Sequence, residues 1–574
     1  MTRPDLPSRL DGLRERYDLV VVGGGIYGAA LTWEATSRGL VTILLDKGDF
    51  ASGTSANSLK VIHGGIRYLQ DWNLARVRES SGERNALLRI APHLVHPLEC
   101  VIPTYSQPSK SRLALAAGIK VYDFATRGQG RGLAPDKQIK AGQTLSRDDL
   151  RAICPDLVGP GTTGAARWYD AQVFNSERLV LAFIMTAVRQ GAHAHNYVTA
   201  KEYIVEDRTA RGVLAQDRFS GRQHEIIGDA IVDCTGPWAL RDTTFRRWVG
   251  PEQEARLAKA INLVVDRQVA DCALGVKTTA SGDGRLLFVT PWRHGSIVGT
   301  WYSAHAGSPD DLSITTDELA HYLAQINDAL PSLNLTATDV TFAHVGMLPA
   351  TQGPSVSGEP PLCKKPALMC AEEHGGPAGL YGVQGVKYTT ARRVAQQVVD
   401  KLAGRLHGKV SRSSTATAPL YGGDVGDFTA FMRRCLARHG NSVAEPAIRR
   451  LAKNYGSNFD HIMGYAEHDP ALLELVPGTA DVIKAELYFG LDHEMAVTLS
   501  DVILRRTDIG SFSLPATETI DYCAELLRDY WGSDRQTRAD NKDGLLACYP
   551  VWVRGESEPE QYLEADMVGE EMRQ

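Results

Sequence analysis

The strongest constraint in this chain is a glycine turn set between an apolar run and a helix-forming run. Residues 18–22 read DLVVV, and Gly23-Gly24-Gly25-Ile26-Tyr27-Gly28 follows at once. The apolar run fits a buried parallel strand. Residues 28–38 (GAALTWEATSR) fit a helix stopped by Gly39, and 41–45 (VTILL) fit the next strand. The pattern G-x-G-x-x-G is weak alone, but in this β–α–β setting each glycine has a task. Gly23 permits the tight turn, Gly25 lets a pyrophosphate approach the backbone, and Gly28 lets helix and strand pack closely. Ile26 and Tyr27 open the helix, whose free N–H groups suit phosphate. Asp46, followed by Lys47, ends the second strand, where a carboxylate accepts ribose hydroxyls and disfavours a 2′-phosphate. A dinucleotide other than NADP is expected.

The fingerprint does not choose between FAD and NAD. Ala230-Ile231-Val232-Asp233-Cys234-Thr235-Gly236-Pro237-Trp238 favours a flavoprotein. There a later strand ends in a small T-G turn, placing Thr235, Gly236 and Trp238 near the cofactor. At 574 residues the chain needs more than one core. Its net charge of −6 argues against nucleic acid. Nine dispersed cysteines fit a reducing compartment and offer no metal spacing. The N-terminus has no secretory pattern, and no run of about 18 apolar residues occurs. A cytoplasmic location is expected. Residues 109–126 (SKSRLALAAGIKVYDFAT) read as a mildly basic amphipathic helix, either packed on the body or touching a membrane surface.

Between about 50 and 105 the chain reads as loop and helix. Strand candidates include YIVED, GVLAQ, KAINLVVD, RLLFVTPW and SIVGTWYS. Residues 387–404 read as a helix capped by Thr389 or Thr390. A Gly/Ser/Thr-rich boundary falls near 405–425, and beyond it 427–439, 445–454, 483–506 and 517–531 carry helical spacing.

The stretch Phe50 to Gln70, FASGTSANSLKVIHGGIRYLQ, resembles the FAD-dependent glycerol-3-phosphate dehydrogenases of the D-amino-acid-oxidase-like superfamily. Their pattern T-S-x-x-S-x-K-x-I-H-G-G-x-R-Y-L is matched by Thr54, Ser55, Ser58, Lys60, Ile62, His63, Gly64, Gly65, Arg67, Tyr68 and Leu69. The likeness continues through PWRHGSIVGT, GVKYTT and IKAELYFGLDHEMAVTLSDVILRRT. It implies an α/β fold: a Rossmann-type FAD-binding domain of the D-amino-acid-oxidase/glutathione-reductase kind, an interleaved antiparallel-sheet substrate domain and a C-terminal α-helical domain. The expected boundaries are 16–410, with FAD-binding segments about 16–80, 195–240 and 340–405, then 420–550, then an acidic tail at 551–574. The implied cofactor is FAD, held non-covalently because no His or Cys falls in the Thr54-Ser55 region. The implied partners are a small-molecule substrate and an electron acceptor, quinone or oxygen. A homodimer and a peripheral contact with the inner face of the cell membrane stay open.

Oxidising an alcohol by hydride transfer needs a base for the hydroxyl proton, a cation to hold the substrate, and a flavin to take the hydride. His63 can supply the first and Arg67 the second. Lys387, in Gly385-Val386-Lys387-Tyr388-Thr389-Thr390, resembles the family's lysine at the substrate or flavin site. Lys60 and Tyr68 are expected beside the substrate. Ser58, Gly64, Gly65, Gly385, Tyr388 and Thr389 are expected beside FAD.

Several positions depart from the family. Its G-V-R-P-L reads Gly346-Met347-Leu348-Pro349-Ala350, and a second arginine falls at Gly358-Glu359. A histidine in K-G-S-H is Asn262, the I-G-T-T-D turn is Gly299-Thr300-Trp301-Tyr302, and Tyr27 stands for the common Asn. Each lost charge-assisted bond removes about 1.5–3 kcal/mol of phosphate binding. Trp301 and Tyr302 offer stacking faces instead, while Arg293 or Arg392 would be replacement cations. Glycerol 3-phosphate therefore stands beside an unphosphorylated polyol, sugar, cyclitol or amine as the expected substrate. A third reading, a flavin-binding protein without catalysis, is opposed by the retention of Lys60, His63, Arg67 and Lys387. His493-Glu494 lacks the second histidine of a zinc site, and no metal is assigned.

Overall fold

The computed structural model describes residues 10–555 apart from 241–244, 247, 249–255, 279–285, 312, 352–358, 364–365, 407–409 and 533–534. Tyr17–Val22 (β1), Ile26–Ser37 (α1) and Thr42–Leu45 (β2) form the expected β–α–β unit. β1 pairs in parallel with β2 and with the strand Gln223–Asp233, which pairs in parallel with Leu380–Gln384. β1 is therefore an inner strand, which is why nearly all of it is apolar and buried. α1 buries every residue from Ile26 to Ala35 except Tyr27. Ala29 and Ala30 let neighbours approach closely, and Trp33 meets Phe183 edge-on at 5.4 Å.

A second sheet runs Val340–Ala350, Arg256–Val265, Gly295–His305, Leu286–Trp292, Ala273–Lys277, Val95–Tyr105, Thr162–Val173 and Val61–Ile62, mostly antiparallel. The strand Val95–Tyr105 lies in a region expected to be loop and helix. Pro97 and Pro103 weaken its strand signal, yet it pairs along its length with Thr162–Val173.

The C-terminal region is helical, with Phe428–His439, Glu445–Tyr455, Lys484–His493 and Thr517–Trp531. The helix expected over 483–506 is two pieces. Met495 takes φ +58°, and Asp501 accepts the N–H groups of Val497 and Thr498 at 2.8 and 2.9 Å, opening a separate turn at Asp501–Arg506. Buried ion pairs join this region to the rest. Arg178 meets Glu494 in a two-pronged contact at 2.8 and 2.9 Å, and Asp49 holds Arg505 and Arg506 at 2.5 and 2.7 Å. Of the acidic tail, Val551–Arg554 forms a short helix and 556–574 lie outside the described residues. Among the described residues, no helix is long and apolar enough to cross a membrane.

Candidate active site

β1, β2 and Gln223–Asp233 all end at one edge, so Gly23, Asp46 and Thr235 converge there. This is the edge where ligands settle on open parallel sheets. Gly23 has φ +101°, and a Cβ on it would lie 2.8 Å from the Cys234 carbonyl carbon. A Cβ on Gly28 would lie 1.9 Å from the Gly23 oxygen, so only glycine allows this contact of helix and strand. Gly25 caps α1 without a side-chain bond, and the first turn has no acidic residue. Ile26 N–H is taken by Ser55 Oγ, and the rest of that helix end, with its dipole, suits an anion.

Asp46 accepts from Gly24 N–H at 2.6 Å and Gly48 N–H at 2.8 Å. Each oxygen keeps a second lone pair for a ribose hydroxyl. Burial pushes its carboxyl up to about 6, against the pull of those two bonds. Lys47 and Trp238 share one acceptor, Asp310 Oδ1, each at 2.8 Å, and Trp238 lies over Gly53. Asp310 lies 72 residues beyond Trp238, and no spacing in the sequence points to it. Thr235 N–H and Oγ1 both bond Asp233, and Gly236 takes φ +63°.

The segment around Thr54 is stitched between two elements. Ser55 Oγ accepts Ile26 N–H at 3.0 Å, while Thr54 Oγ1 bonds Met347 N–H and C=O at 3.0 and 2.8 Å. Ser58 Oγ accepts Lys60 N–H at 3.2 Å. A Cβ on Gly346 would touch the Thr54 side chain. By strand alternation His344, Gly346 and Leu348 share the face that covers this segment. His344, also unforeseen, is buried with Nδ1 3.3 Å from Asn57 Oδ1, and burial pushes its imidazole well below the ordinary value.

Beyond Val61–Ile62 the exposed His63 and Arg67 flank the buried Gly64 and Gly65. A Cβ on Gly64 would strike Tyr122, Arg84 and Asp170, and Gly65 takes φ +85°. His63 Nδ1 lies 3.4 Å from Asp170 Oδ2. Lys387 Nζ sits 4.4 Å from the Tyr68 ring centre, which brings the two distant segments together. Tyr27 Oη donates to Lys387 C=O at 2.9 Å and accepts Lys387 N–H at 3.3 Å, with Gly385 packed on the phenol. Tyr388 donates to Ser176 C=O at 2.6 Å.

Five expectations are corrected by geometry. Lys60 points inward, not to substrate. It is 1 % exposed, and its ammonium donates to Ala56 C=O, Ser176 Oγ and Glu177 Oε2 at 2.8–2.9 Å. Trp301 offers no stacking face, being buried against Tyr322 at 4.7 Å with Nε1 bonded to Gln325. Strand alternation puts Tyr302, not Trp301, on the opposite face. Asn262 is buried, its Oδ1 taken by Thr300 Oγ1 at 2.7 Å in an irregular stretch of the sheet. Arg293 and Arg392 do not replace the missing cations: Arg293 is spent on Asp508 and Asn175, and Arg392 on Glu83. The last helix of the cofactor region starts at Ala391, later than expected, and Thr390 caps it without a side-chain bond although Thr389 and Thr390 are buried. Gly358 lies outside the described residues, whereas Glu359 is described.

The strand-end cleft, its glycine contacts and the uncharged, open first turn of α1 fit the dinucleotide of a flavin-dependent oxidoreductase. The "FAD dependent oxidoreductase" family model matches residues 18–392, and the model "C-terminal domain of alpha-glycerophosphate oxidase" matches 413–538. A glycerol-3-phosphate dehydrogenase of Synechocystis is 32 % identical over 86 % of this chain and 89 % of its own. The aerobic glycerol-3-phosphate dehydrogenase of Bacillus subtilis is 28 % identical over 93 % and 95 %. The solved glycerol-3-phosphate dehydrogenase from Bacillus halodurans, complexed with FAD, superposes with a TM-score of 0.72 at 24 % identity, covering 93 % of this chain and 95 % of that one. This chain belongs to the FAD-dependent glycerol-3-phosphate dehydrogenase family; it is an enzyme and its cofactor is FAD.

Proposed function

We propose that this enzyme oxidises the secondary alcohol of glycerol 3-phosphate. Bound FAD supplies the hydride acceptor at N5. Gly23, Gly25, Gly28 and Asp46 would hold its adenosine diphosphate half, and the Thr54–Ser58, Gly64–Gly65 and Gly385–Thr389 segments would hold the remainder, without a covalent link. His63 takes the hydroxyl proton, while Arg67 and Lys387 orient the substrate's oxygens. The observation that carries this reading is the different fate of the cations. Lys60, Arg293 and Arg392 are committed to buried carboxylates, whereas Arg67 and Lys387 form no ion pair among the described residues.

A second reading, an unphosphorylated polyol, sugar, cyclitol or amine as substrate, is favoured by Leu348. It occupies the position of a family arginine on the face covering the Thr54 segment. Anaerobic holoenzyme mixed with glycerol 3-phosphate decides between them. Bleaching of the flavin at millimolar substrate supports the first reading; bleaching by glycerol or an amine but not by glycerol 3-phosphate supports the second.

Electrons then pass to a quinone or oxygen. A peripheral membrane contact is supported by the helix Arg112–Ala125, which exposes Leu113 by 83 % and Phe124 by 74 % beside the exposed Arg112 and Lys120. Co-sedimentation with anionic vesicles tests it, and Leu113→Glu with Phe124→Glu should abolish the binding.

A further inference from the structure

Asp170 sits on the strand Thr162–Val173, 2 % exposed, beside the exposed His63. Its surroundings consist of donors. Oδ1 accepts Gly64 N–H at 2.7 Å and Arg84 Nη1 at 3.4 Å; Oδ2 accepts Trp168 Nε1 at 3.3 Å and faces His63 Nδ1 at 3.4 Å. Arg84 is itself fixed by Tyr122 Oη at 3.0 Å and Tyr169 C=O at 2.9 Å. Burial opposes charge on Asp170, yet the bonds from His63, Arg84 and Gly64 outweigh it and hold the carboxyl below its ordinary value. An ionised carboxylate only accepts, so the nitrogen of His63 facing it carries the hydrogen. In the neutral imidazole the lone pair is then on Nε2, the nitrogen turned away from Asp170.

We propose that Asp170 is a positioning residue for the oxidation: it fixes the tautomer and orientation of His63 and stabilises the imidazolium formed when the substrate's O–H proton moves to Nε2. The O–H bond breaks, an N–H bond forms, and the carbon's hydride leaves to the FAD that the enzyme carries. The same carboxylate bonds the Gly64 N–H, so the loop bearing the base and the base itself share one anchor. The assignment rests on the reading of His63 as the base.

Two measurements test it. Holoenzyme labelled with ring-15N histidine, compared with His63→Gln for assignment, should show His63 protonated at Nδ1 and bare at Nε2; the opposite tautomer overturns the proposal. In anaerobic stopped-flow with glycerol 3-phosphate, Asp170→Asn should slow flavin reduction by about 10²- to 10⁴-fold. FAD content and half-saturating substrate should stay within about threefold. The double variant Asp170→Asn with His63→Gln should be no slower than His63→Gln alone, because residues acting as one unit are not additive. Wild-type speed in Asp170→Asn, or a double variant slowed by the full product, overturns the role of Asp170. Wild-type speed in His63→Gln instead overturns the base assignment itself. If Asp170→Asn does not retain FAD, the tautomer in the unaltered enzyme decides alone.

Discussion

Tyr27 and Lys387, 360 residues apart, exchange two hydrogen bonds: the phenol donates to the lysine carbonyl at 2.9 Å and accepts the lysine N–H at 3.3 Å. The start of α1 is thereby tied to the segment expected to border the flavin ring. Tyr27→Phe keeps the ring against Gly385 but removes both bonds, a loss of about 1–2 kcal/mol. The flavin-to-protein ratio after gel filtration should fall and the melting temperature should drop by a few degrees. Gly385→Ala should do more damage, since its methyl would lie 2.2 Å from the phenol oxygen.

Asp46 should make cofactor uptake depend on pH. Burial raises its carboxyl to about 6 in the absence of ligand. Its ionised form is the better acceptor for ribose hydroxyls, so FAD affinity should rise as pH climbs through about 6. The same shift means that protonated Asp46 favours the folded apoprotein at low pH, a contribution lost as pH rises through that value. Fluorescence titration of apoprotein with FAD between pH 5 and 8 checks this, and Asp46→Asn should flatten the curve.

The Arg178–Glu494 pair fastens the C-terminal helices to the rest of the chain. Arg178→Met leaves Glu494 buried and unpaired, costing about 3–5 kcal/mol. Pairing it with Glu494→Gln should recover part of the loss, read as the urea midpoint. Equal midpoints for the single and double variants would refute the coupling.

Leu348→Arg returns a guanidinium to the strand face covering the Thr54 segment. If phosphate is bound on that side, KM for glycerol 3-phosphate should fall roughly tenfold, consistent with one charge-assisted bond. Activity on unphosphorylated glycerol should not gain.

The β–α–β unit and its glycine turn were legible because their requirements are local. Gly23, Gly25, Gly28 and Asp46 lie within one β–α–β unit, where the spacing alone dictates who meets whom. The substrate side was less legible because partners there are distant. Asp170 lies 107 residues from His63, and no periodicity links them. Trp301 was misassigned because an aromatic on a strand has two faces to choose from, and only the packed helix Thr316–Ala329 decides between them. Arg293 and Arg392 drew attention as nearby cations, but their carboxylates come from segments more than 200 residues away. Lys60 fitted the family pattern without touching the cleft, because a pattern records identity and not direction.

Gly64 sits where a methyl group would come within 2.2 Å of the Tyr122 hydroxyl, 2.4 Å of Arg84 and 2.8 Å of Asp170. A saturation library across this loop should therefore return almost nothing but glycine there, whereas solvent-facing Arg67 should accept many replacements sterically. Redesign of the enzyme's substrate range has more room at the half-buried Leu348, on the strand Val340–Ala350.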